Sequence, residues 1–356
     1  MFSAYKALPY DELPESAKTS SRAAKILSRI YHYTIGAYLV VTSLALLFIV
    51  LHSLFIVSLP SEKCQRPMFR REWRTFDDQE KKNYIEAVQC LKDIPSKIGT
   101  NYSIFEDFPY AHAIGDGIKT HGTARFLPWH RYFLHIYEQV LQDQCGYRGG
   151  LPYWDWTLDW QHILKAPVWG AGSLAFGTNG TGDTFIDAGV LQRNCVVDGA
   201  FANTTLHYLD NKQLQHCLSR GFNTGSLLHN LTMWLRPKNI ETLLLTPRYE
   251  QFNEHMERYI HLAIPAIVQG DFVTRTSPND PLTFLHHAQL DRLWWLWQHL
   301  HPHGMSDYGG AAYRDAAPSA SRDNLQSIIR MSGLAPDIRV AEVMNTRTSV
   351  LCYSYN

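Results

Sequence analysis

The clearest feature of the hydrophobic pattern is a long apolar run near the N-terminus. No Asp, Glu, Lys or Arg occurs between Ile30 and Ser61, and residues 35–59 are almost continuously apolar. A helix needs roughly 20 apolar residues to cross a bilayer, whereas a signal-peptide core typically has about 7–15. The run therefore predicts an uncleaved transmembrane anchor at 35–59 that follows a tail at 1–34, and the polar residues 1–29 of this tail are expected to be loose. A buried core helix is the alternative.

Beyond the anchor, apolar positions recur at helical spacing in several segments. Helices are predicted over residues 79–91, 127–145, 246–264 and 281–300. Asp77 or Asp78 can cap the first helix, because short acidic side chains accept hydrogen bonds from free N–H groups. Pro128 suits the start of the second helix, where a missing N–H costs nothing.

The segments between these helices carry Gly, Pro and polar residues. Residues 94–125 and 170–200 are predicted to be loops, and residues 301–356 show little periodicity. Residues 60–76 are predicted to be a linker, which leaves 77–356 as one large domain. The sequence shows no internal repeat and no clear alternating strand series. It predicts a mainly α fold with a helical-bundle core and long loops.

Composition narrows the function classes. The chain of 356 residues balances 33 basic with 33 acidic side chains, so no electrostatic footprint for nucleic acid is present. A hydrophobic fraction of 45% is typical of a globular protein with a substantial core. No Ser-His-Asp or Cys-His nucleophile arrangement and no phosphate-binding loop was found, which gives hydrolase and kinase functions little support.

Cysteines and glycosylation sequons indicate the orientation of the anchor. Basic residues on its two sides are nearly balanced and do not decide it. All six cysteines follow the anchor, and they suit up to three disulfides: Cys64, Cys90, Cys145, Cys195, Cys217 and Cys352. Four N-x-S/T sequons also follow it: Asn101, Asn179, Asn203 and Asn230. We therefore expect a single-pass type II protein with a cytoplasmic tail and a luminal or extracellular domain.

Histidines form the most informative chemical pattern. His112, His121 and His130 are spaced by nine residues each time, His261 lies in a later predicted helix, and His286–His287 lie in the next. Histidines from several helices of a bundle commonly hold metal ions, and neutral imidazole suits Cu, Zn, Fe and Ni. The alternative is a set of ordinary polar histidines, and spacing alone leaves both open.

Two of the surrounding motifs resemble a known family. "HGTARFLPWHRYFLHIYE" and "SPNDPLTFLHHAQLDRLWWLWQ" closely resemble the two copper-binding signatures of tyrosinases and related type 3 copper proteins. The resemblance extends from about Arg70 to Tyr355, and it includes "REWRTF" near the start and "YSY" at the end. Together with the anchor, it is similar to the membrane-anchored, tyrosinase-like oxidases of fungal secondary metabolism.

The resemblance implies a function and its cofactors. Two copper ions would bind dioxygen as co-substrate, and the substrate would be a small phenolic or Tyr-containing molecule. The reaction would be o-hydroxylation of a phenol or oxidation of a catechol, followed in some pathways by oxidative coupling or cyclisation. Other biosynthetic enzymes would be partners.

The resemblance also implies a ligand set. It makes His112, His121 and His130 the first copper triad and assigns His261 and His287 to the second copper. His286 is then a neighbour, because successive helical residues point about 100° apart. Glu257 fits the E-x-x-x-H lead-in of the family. Asp291, one turn after His287, is expected to orient an imidazole.

The chain departs from the family pattern at the second copper. The family reads H-x-x-x-H there, but "HLAIPAIVQGDF" places Pro265 where the second histidine belongs. Proline cannot ligate a metal. The second copper therefore has two imidazoles, or recruits His255 or His229, or is weakly held.

Two further departures concern the pocket. Thr283 stands where the family usually has a bulky aromatic residue, which together with Pro265 suggests a roomier substrate pocket. Lys119 stands where some relatives have a cysteine bonded to a histidine, so no such bond is expected.

Two other function classes remain open. One is a dioxygen-binding or scaffold protein on the same fold that does not turn over substrate. The other is a metal-dependent hydrolase, since three-histidine sites also suit zinc. Trp154 and Trp156 of the "WDW" segment are expected to be core aromatics first and substrate platforms second.

Overall fold

The chain forms two compact units, Met1–Ser61 and Glu62–Asn356. The structure, a computed structural model, describes residues 15–57, 64–181, 184–186, 192–315, 317 and 320–356. The described part of the first unit is one helix, α1, from Glu15 to Val57. Its segment Lys25–Ile49 is long and apolar enough to cross a membrane and is not buried. Residues 58 and 59 of the predicted anchor lie outside the described residues.

Helix α1 begins earlier than the sequence pattern predicted. Residues 1–29 were expected to be loose, but the chain is helical from Glu15 onward. The residues before the apolar run include Ala, Lys, Arg and Leu, which have high helix propensity. Extending an existing helix also avoids the cost of nucleating one. Residues 1–14 lie outside the described residues.

The second unit is built mainly from helices. They are α2 (Asp78–Cys90), α3 (Ile104–Ala113), α4 (Phe126–Cys145), α5 (Gly225–Thr232), α6 (Pro237–Leu244), α7 (Tyr249–His255), α8 (Leu262–Val268), α9 (Leu282–Leu300) and α10 (Val340–Val343). A π-helix, Met256–His261, joins α7 to α8. The mainly α fold class and all four predicted helices are confirmed. Helix α2 starts with a capping box in which Asp77 and Glu80 each accept the other's backbone N–H.

Helix α3 lies in a region that was predicted to be a loop. Every residue of α3 except Tyr110 is buried, so its sequence has no polar face to mark the helical period. Pro109 within the helix further obscures the pattern. This prediction was wrong because a helix surrounded by protein does not need to be amphipathic.

Short strands complete the unit. They are β1 (Met68–Arg70), β2 (Thr184–Ile186), β3 (Gln192–Cys195), β4 (Thr205–Leu209), β5 (Lys212–Cys217), β6 (Ser219–Arg220), β7 (Gly310–Ala311), β8 (Arg322–Asp323), β9 (Ile328–Ile329), β10 (Ile338–Arg339) and β11 (Tyr353–Tyr355). Strands β4 and β5 form an antiparallel hairpin, and β1 pairs in parallel with β11. Strand β1 and the 3₁₀ turn Trp73–Thr75 lie within residues 60–76, which were predicted to be a linker but are part of the second unit. Such short strands leave no alternating pattern to detect.

Helices α4 and α9 pack against each other in the core. Every residue of α4 from Phe126 to Glu138 is buried. The Arg131 guanidinium lies 3.6 Å from the ring centroid of Trp294 and donates to Asp291 at 2.5 Å. This packing brings the N-terminal turns of the two helices together, and those turns carry predicted metal ligands.

All six cysteines pair. The disulfides are Cys64–Cys352, Cys90–Cys145 and Cys195–Cys217. The prediction of three disulfides is confirmed, and no cysteine is free. The first bond joins residues at the two ends of the second unit, beside the β1–β11 pair.

Candidate metal site

Three predicted ligands come together from three different elements. His112 lies at the C-terminal end of α3, His121 directly follows the 3₁₀ turn Gly117–Thr120, and His130 lies in the second turn of α4. Their ring nitrogens form a group in which all candidate ligand atoms lie within 4.8 Å of one another. Among the described residues, this is the one group of three or more side chains with metal-ligand spacing.

Backbone carbonyls set the tautomer of each ring in this group. Nδ1 of each ring donates to a backbone carbonyl. His112 donates to Arg275 (2.6 Å), His121 to Gly117 (3.1 Å) and His130 to Phe126 (2.7 Å). A carbonyl only accepts, so Nδ1 carries the proton and Nε2 keeps its lone pair.

The bare nitrogens converge. Nε2 of His112 lies 3.3 Å from Nε2 of His130. With the proton of each ring on Nδ1, neither atom has a hydrogen to donate to the other. Two lone pairs at this separation repel unless a cation lies between them. The donor set therefore fits a metal ion bound by neutral imidazoles, each held by a second partner.

The electrostatics of the group favour the neutral rings that a metal needs. Burial lowers the pKa of His112 to about 4. Burial and the neighbouring imidazoles hold the pKa values of His121 and His130 well below their usual value. The rings are therefore uncharged near neutral pH.

The other two predicted ligands face this group. The ring of His287, on α9, stacks on His130 with centroids 4.3 Å apart. His261 ends the π-helix, and its centroid lies 5.2 Å from that of His287 and 6.1 Å from that of His121. Burial lowers the pKa of His261 to about 3. Two imidazoles thus lie opposite the three-histidine group, but they form no group of three with each other and a further ligand.

His286 points to a different partner from His287. Its Nδ1 accepts a hydrogen bond from the indole N–H of Trp156 at 3.2 Å. Its ring is fully buried and lies nearly parallel to that of His261, with centroids 5.6 Å apart. Trp156 was expected to be a core aromatic, and its contact with a predicted neighbour of the metal was not foreseen.

The departure at Pro265 has no replacement histidine from the predicted candidates. Pro265 is buried inside α8, four residues after His261. The ring contacts of His255 are with Trp234 and Tyr259, and His229 is exposed beside a surface pocket. Neither belongs to the three-histidine group.

Glu257 acts on the segment that carries His121. Its Oε1 accepts the backbone N–H of Gly122 at 2.7 Å. Burial raises the pKa of this carboxyl to about 7. Glu257 therefore ties the π-helix, which ends at His261, to the residue next to His121.

Asp291 does not orient an imidazole as expected. One of its oxygens accepts from Arg131, and the other accepts from the hydroxyls of Tyr353 and Tyr355 at 2.5 and 2.6 Å, and from Arg70 at 3.4 Å. Burial opposes its charge, but Arg131, Arg70 and the hydrogen bonds from the two tyrosines together hold the pKa of Asp291 below its usual value. Both carboxylate oxygens are thus hydrogen-bonded, and they link α9 to α4 and β11.

The expectations of a roomier pocket at Thr283 and of glycosylation stay predictions. The Thr283 hydroxyl is buried and donates to the carbonyl of Ser277 at 2.6 Å, and a roomier pocket there stays a prediction. The sequon residues Asn101, Asn203 and Asn230 are exposed. Asn179 is partly buried, and its Oδ1 accepts the N–H of Phe222. Glycosylation stays a prediction.

Sequence reasoning missed two contributors. The Arg275 carbonyl lies far along the chain from His112, and no local signal marks it. Phe126 packs between the two sets of histidines, with its centroid 4.7 Å from that of His130 and 4.9 Å from that of His261. Its position four residues before His130 was a usable signal, because residues at that spacing share a helix face.

Comparison with known proteins gives similar proteins of one family. The family model for the common central domain of tyrosinase matches residues 102–300. The chain is 39% identical to a tyrosinase-like protein, phomQ1, of Diaporthe leptostromiformis, over 83% of this chain and 79% of that protein. It is 38% identical to the tyrosinase ustQ of Aspergillus flavus, over 82% of this chain and 80% of that one. A polyphenol oxidase structure from Thermothelomyces thermophila is similar at a TM-score of 0.71 and 26% identity, covering 86% of this chain and 93% of that one.

Proposed function

This chain belongs to the tyrosinase family, and we propose that it is a copper-dependent phenol oxidase. The observation that carries the proposal is the convergence of three neutral imidazoles whose Nδ1 atoms are all occupied by backbone carbonyls. Imidazole nitrogens suit copper, and the family's fold is associated with a pair of copper ions. In this proposal, the site holds two.

The five histidines divide between the two ions. His112, His121 and His130 would hold the first copper, and His261 and His287 the second. Bound copper supplies the redox chemistry with dioxygen, while the protein supplies spacing and orientation. The second ion has one fewer protein imidazole, because Pro265 replaces a ligand.

The remaining side chains of the site position the ligands. The fully buried ring of Phe126 packs against the rings of both His130 and His261. Glu257 holds Gly122 and with it the segment of His121. Such partners of ligands fix the ring orientation on which metal affinity depends.

We propose a phenol or catechol as substrate. Oxidation of a catechol to a quinone removes two electrons and two protons, and dioxygen is the electron acceptor. The substrate would be a small phenolic or Tyr-containing molecule of a fungal secondary-metabolite pathway, and the quinone would be open to coupling or cyclisation. Two of the similar proteins are fungal tyrosinase-like proteins, which supports this setting.

We also propose a type II topology with the copper domain in the lumen or outside. The apolar helix α1 is long enough to span a bilayer. The three disulfides of the second unit suit an oxidising compartment. Other biosynthetic enzymes on the same membrane would then be partners.

Oxygen consumption tests the proposal. The full chain, purified in detergent and loaded with copper, is expected to consume oxygen with members of a panel of mono- and diphenols. The His130→Ala variant is expected to lose this activity together with copper. The exposed-histidine variant His299→Ala serves as the control and is expected to keep both.

Two outcomes would favour the other function classes. Reversible oxygen binding without steady consumption of any phenol would indicate a dioxygen-binding protein. Purification with stoichiometric zinc, no copper uptake and hydrolysis of ester or amide substrates would indicate a hydrolase. Either result contradicts the oxidase.

A further inference from the structure

The peptide group that follows His121 is held on both sides. Its carbonyl, which belongs to His121, accepts a hydrogen bond from Nε of Arg314 at 3.3 Å. Its N–H, which belongs to Gly122, donates to Oε1 of Glu257 at 2.7 Å. The peptide group is planar, so it cannot turn without losing at least one of these two bonds. The backbone directly beside a predicted copper ligand is therefore fixed by two side chains from other parts of the chain.

His121 is the predicted ligand with the least support from secondary structure. The other four predicted ligands lie in helices and are buried: His112, His130, His261 and His287. His121 is only partly buried, and it lies in the loop between the 3₁₀ turn Gly117–Thr120 and α4. No ladder of helical hydrogen bonds holds the peptide that follows it, so the bonds to side chains take that place.

Gly122 allows the side chain of Arg314 to lie across this peptide. Its φ is +73°, a conformation that glycine adopts without strain. A Cβ at this position would lie 3.1 Å from Nε and 3.2 Å from Cγ of Arg314. Any other residue would be strained and would also press on the arginine. The contact between the arginine and the peptide therefore requires a glycine here.

The segment that carries Arg314, residues 310–314, runs alongside the loop of His121. It begins with strand β7, which pairs with β8. The carbonyl of Ala311 in β7 accepts the N–H of Ala124 in the loop at 2.9 Å. The segment is therefore attached to the loop before it reaches the arginine.

Arg125 fastens segment 310–314 from the side of the loop. Its guanidinium donates to the carbonyl of Ala312 at 3.4 Å and to the carboxylate of Asp323 in β8 at 2.6 Å. The segment lies beyond residues 102–300, which the tyrosinase family model matches. Part of the support for the His121 loop thus comes from a region of this chain outside the common central domain.

From these contacts we propose that Arg314 is a positioning residue for the first copper, because it and Glu257 clamp the peptide that follows His121. The arginine supplies the donor on one side of the peptide, and the carboxylate supplies the acceptor on the other. Glu257 lies in the π-helix that ends at His261, so the clamp also joins the loop of one copper to the helix of the other. This role rests on the proposed copper function, whereas the clamp itself needs no metal.

Copper affinity tests the role of Arg314. Arg314→Met keeps an unbranched side chain of similar reach without a donor, whereas Arg314→Gln places an amide nitrogen at the position of Nε. Competition titration of the full chain in detergent measures the affinity of each copper. Arg314→Met is expected to weaken the first copper by about tenfold and to leave the second within about threefold, as for the loss of other ligand-orienting partners. Arg314→Gln is expected to recover most of the loss, because its N–H can meet the same carbonyl.

The control is Arg330→Met, which removes an exposed guanidinium that pairs with Asp337 at the surface. It is expected to leave both copper affinities within about threefold of those of the parent chain. Equal weakening of both coppers in Arg314→Met would indicate a general loosening of the domain and would make the inference wrong. The inference is also wrong if Arg314→Met and Arg314→Gln behave alike.

Hydrogen exchange tests the clamp without metal. In the copper-free chain, Arg314→Met is expected to raise the exchange rate of the Gly122 amide by about fivefold, the equivalent of one ordinary hydrogen bond. NMR of the glycine-labelled chain measures this rate. An unchanged rate would overturn the inference, whatever the activity of the enzyme. A parent chain that shows the expected exchange but binds no copper would uphold the clamp and contradict the proposed function.

Discussion

Single hydrogen bonds set the tautomer of four of the histidines around the site. In His112, His121 and His130 a carbonyl takes the Nδ1 proton, so Nε2 is left as a ligand atom. In His286 an indole N–H occupies Nδ1, so Nε2 is protonated. All four rings are histidines near one centre, and the difference between ligand and neighbour lies in the group on the far side of each ring.

Position 265 allows a direct gain-of-function prediction. Pro265→His restores both an imidazole and a backbone N–H, and we expect the second copper to bind about tenfold or more tightly. The matched control is Pro265→Ala, which restores the N–H alone. Competition titration of the two coppers provides the measurement. The prediction is contradicted if the parent already binds two coppers with equal affinity, or if Ala improves binding as much as His.

The buried imidazoles make the copper-free protein sensitive to acid. The pKa of His112 falls from about 6.5 to about 4 on folding. Between these values the unfolded chain binds the proton and the folded chain does not, so stability decreases as the pH falls through this window. Each such proton contributes about 1.4 kcal/mol per pH unit.

Replacement of the His112 ring tests the direction of this pH dependence. His112→Gln is expected to reduce the pH dependence of the unfolding free energy by about one proton between pH 6.5 and 4. Denaturant unfolding of the copper-free chain at several pH values measures it, with His299→Gln as the exposed control. An unchanged or steeper dependence in His112→Gln would refute the assignment.

At the scale of elements, the site depends on how α4 and α9 are joined. Asp291 on α9 accepts from Arg131 on α4 and from both tyrosines of β11. Arg70 on β1 donates to Glu138 on α4 at 2.6 Å. Because these charges are buried and paired, removal of one partner leaves another uncompensated. The network holds His130 and His287 at stacking distance.

Asp291→Asn tests this joint. The change keeps the size of the side chain and removes its charge, so it leaves the buried Arg131 without a counter-ion. We expect the unfolding free energy to fall by about 3–5 kcal/mol. Guanidinium unfolding monitored by tryptophan fluorescence measures the loss.

Asp143→Asn, an exposed position on α4, is the control and is expected to change stability by less than about 0.5 kcal/mol. A loss of similar size in both variants, or no loss at Asp291, would show that the buried network does not hold the helices together.

At the scale of the whole molecule, the chain combines a membrane-length helix with a disulfide-bonded domain. Cys64–Cys352 spans 288 positions and joins the first and last parts of the second unit. Stable disulfides are typical of proteins in oxidising compartments. The exposed sequon residues Asn101, Asn203 and Asn230 would meet the glycosylation machinery in the same compartment.

Expression in a fungal host tests the topology. The full chain is expected to remain in the membrane pellet after alkaline carbonate extraction, whereas deletion of residues 1–61 releases the protein. Asn230→Gln is expected to lower the mass by one glycan and leave the pellet fraction unchanged. N-terminal sequencing checks that the anchor is retained. A mature chain that begins after the apolar helix would identify a cleaved signal sequence and contradict the anchor.

The sequence by itself determined the family and those helices whose apolar residues recur at helical spacing. Helices α2, α4 and α9 were predicted because their apolar residues recur at helical spacing, and Asp77 also caps α2. The long motifs around His130 and His287 identified the tyrosinase family. The even number of cysteines predicted three disulfides, which the structure confirms.

Only the tertiary structure decided which hydrogen-bond partners each residue of the site has. Helix α3 was missed because burial on all sides removes the amphipathic signal, and Asp291 was misassigned because its partners Arg70, Tyr353 and Tyr355 lie far along the chain. The Arg275 carbonyl on His112 and the Trp156 indole on His286 are likewise long-range contacts. Local sequence encodes periodicity, ligand type and the carbonyls four residues before His121 and His130, whereas the partners of His112 and His286 come from distant segments that only packing brings to the rings.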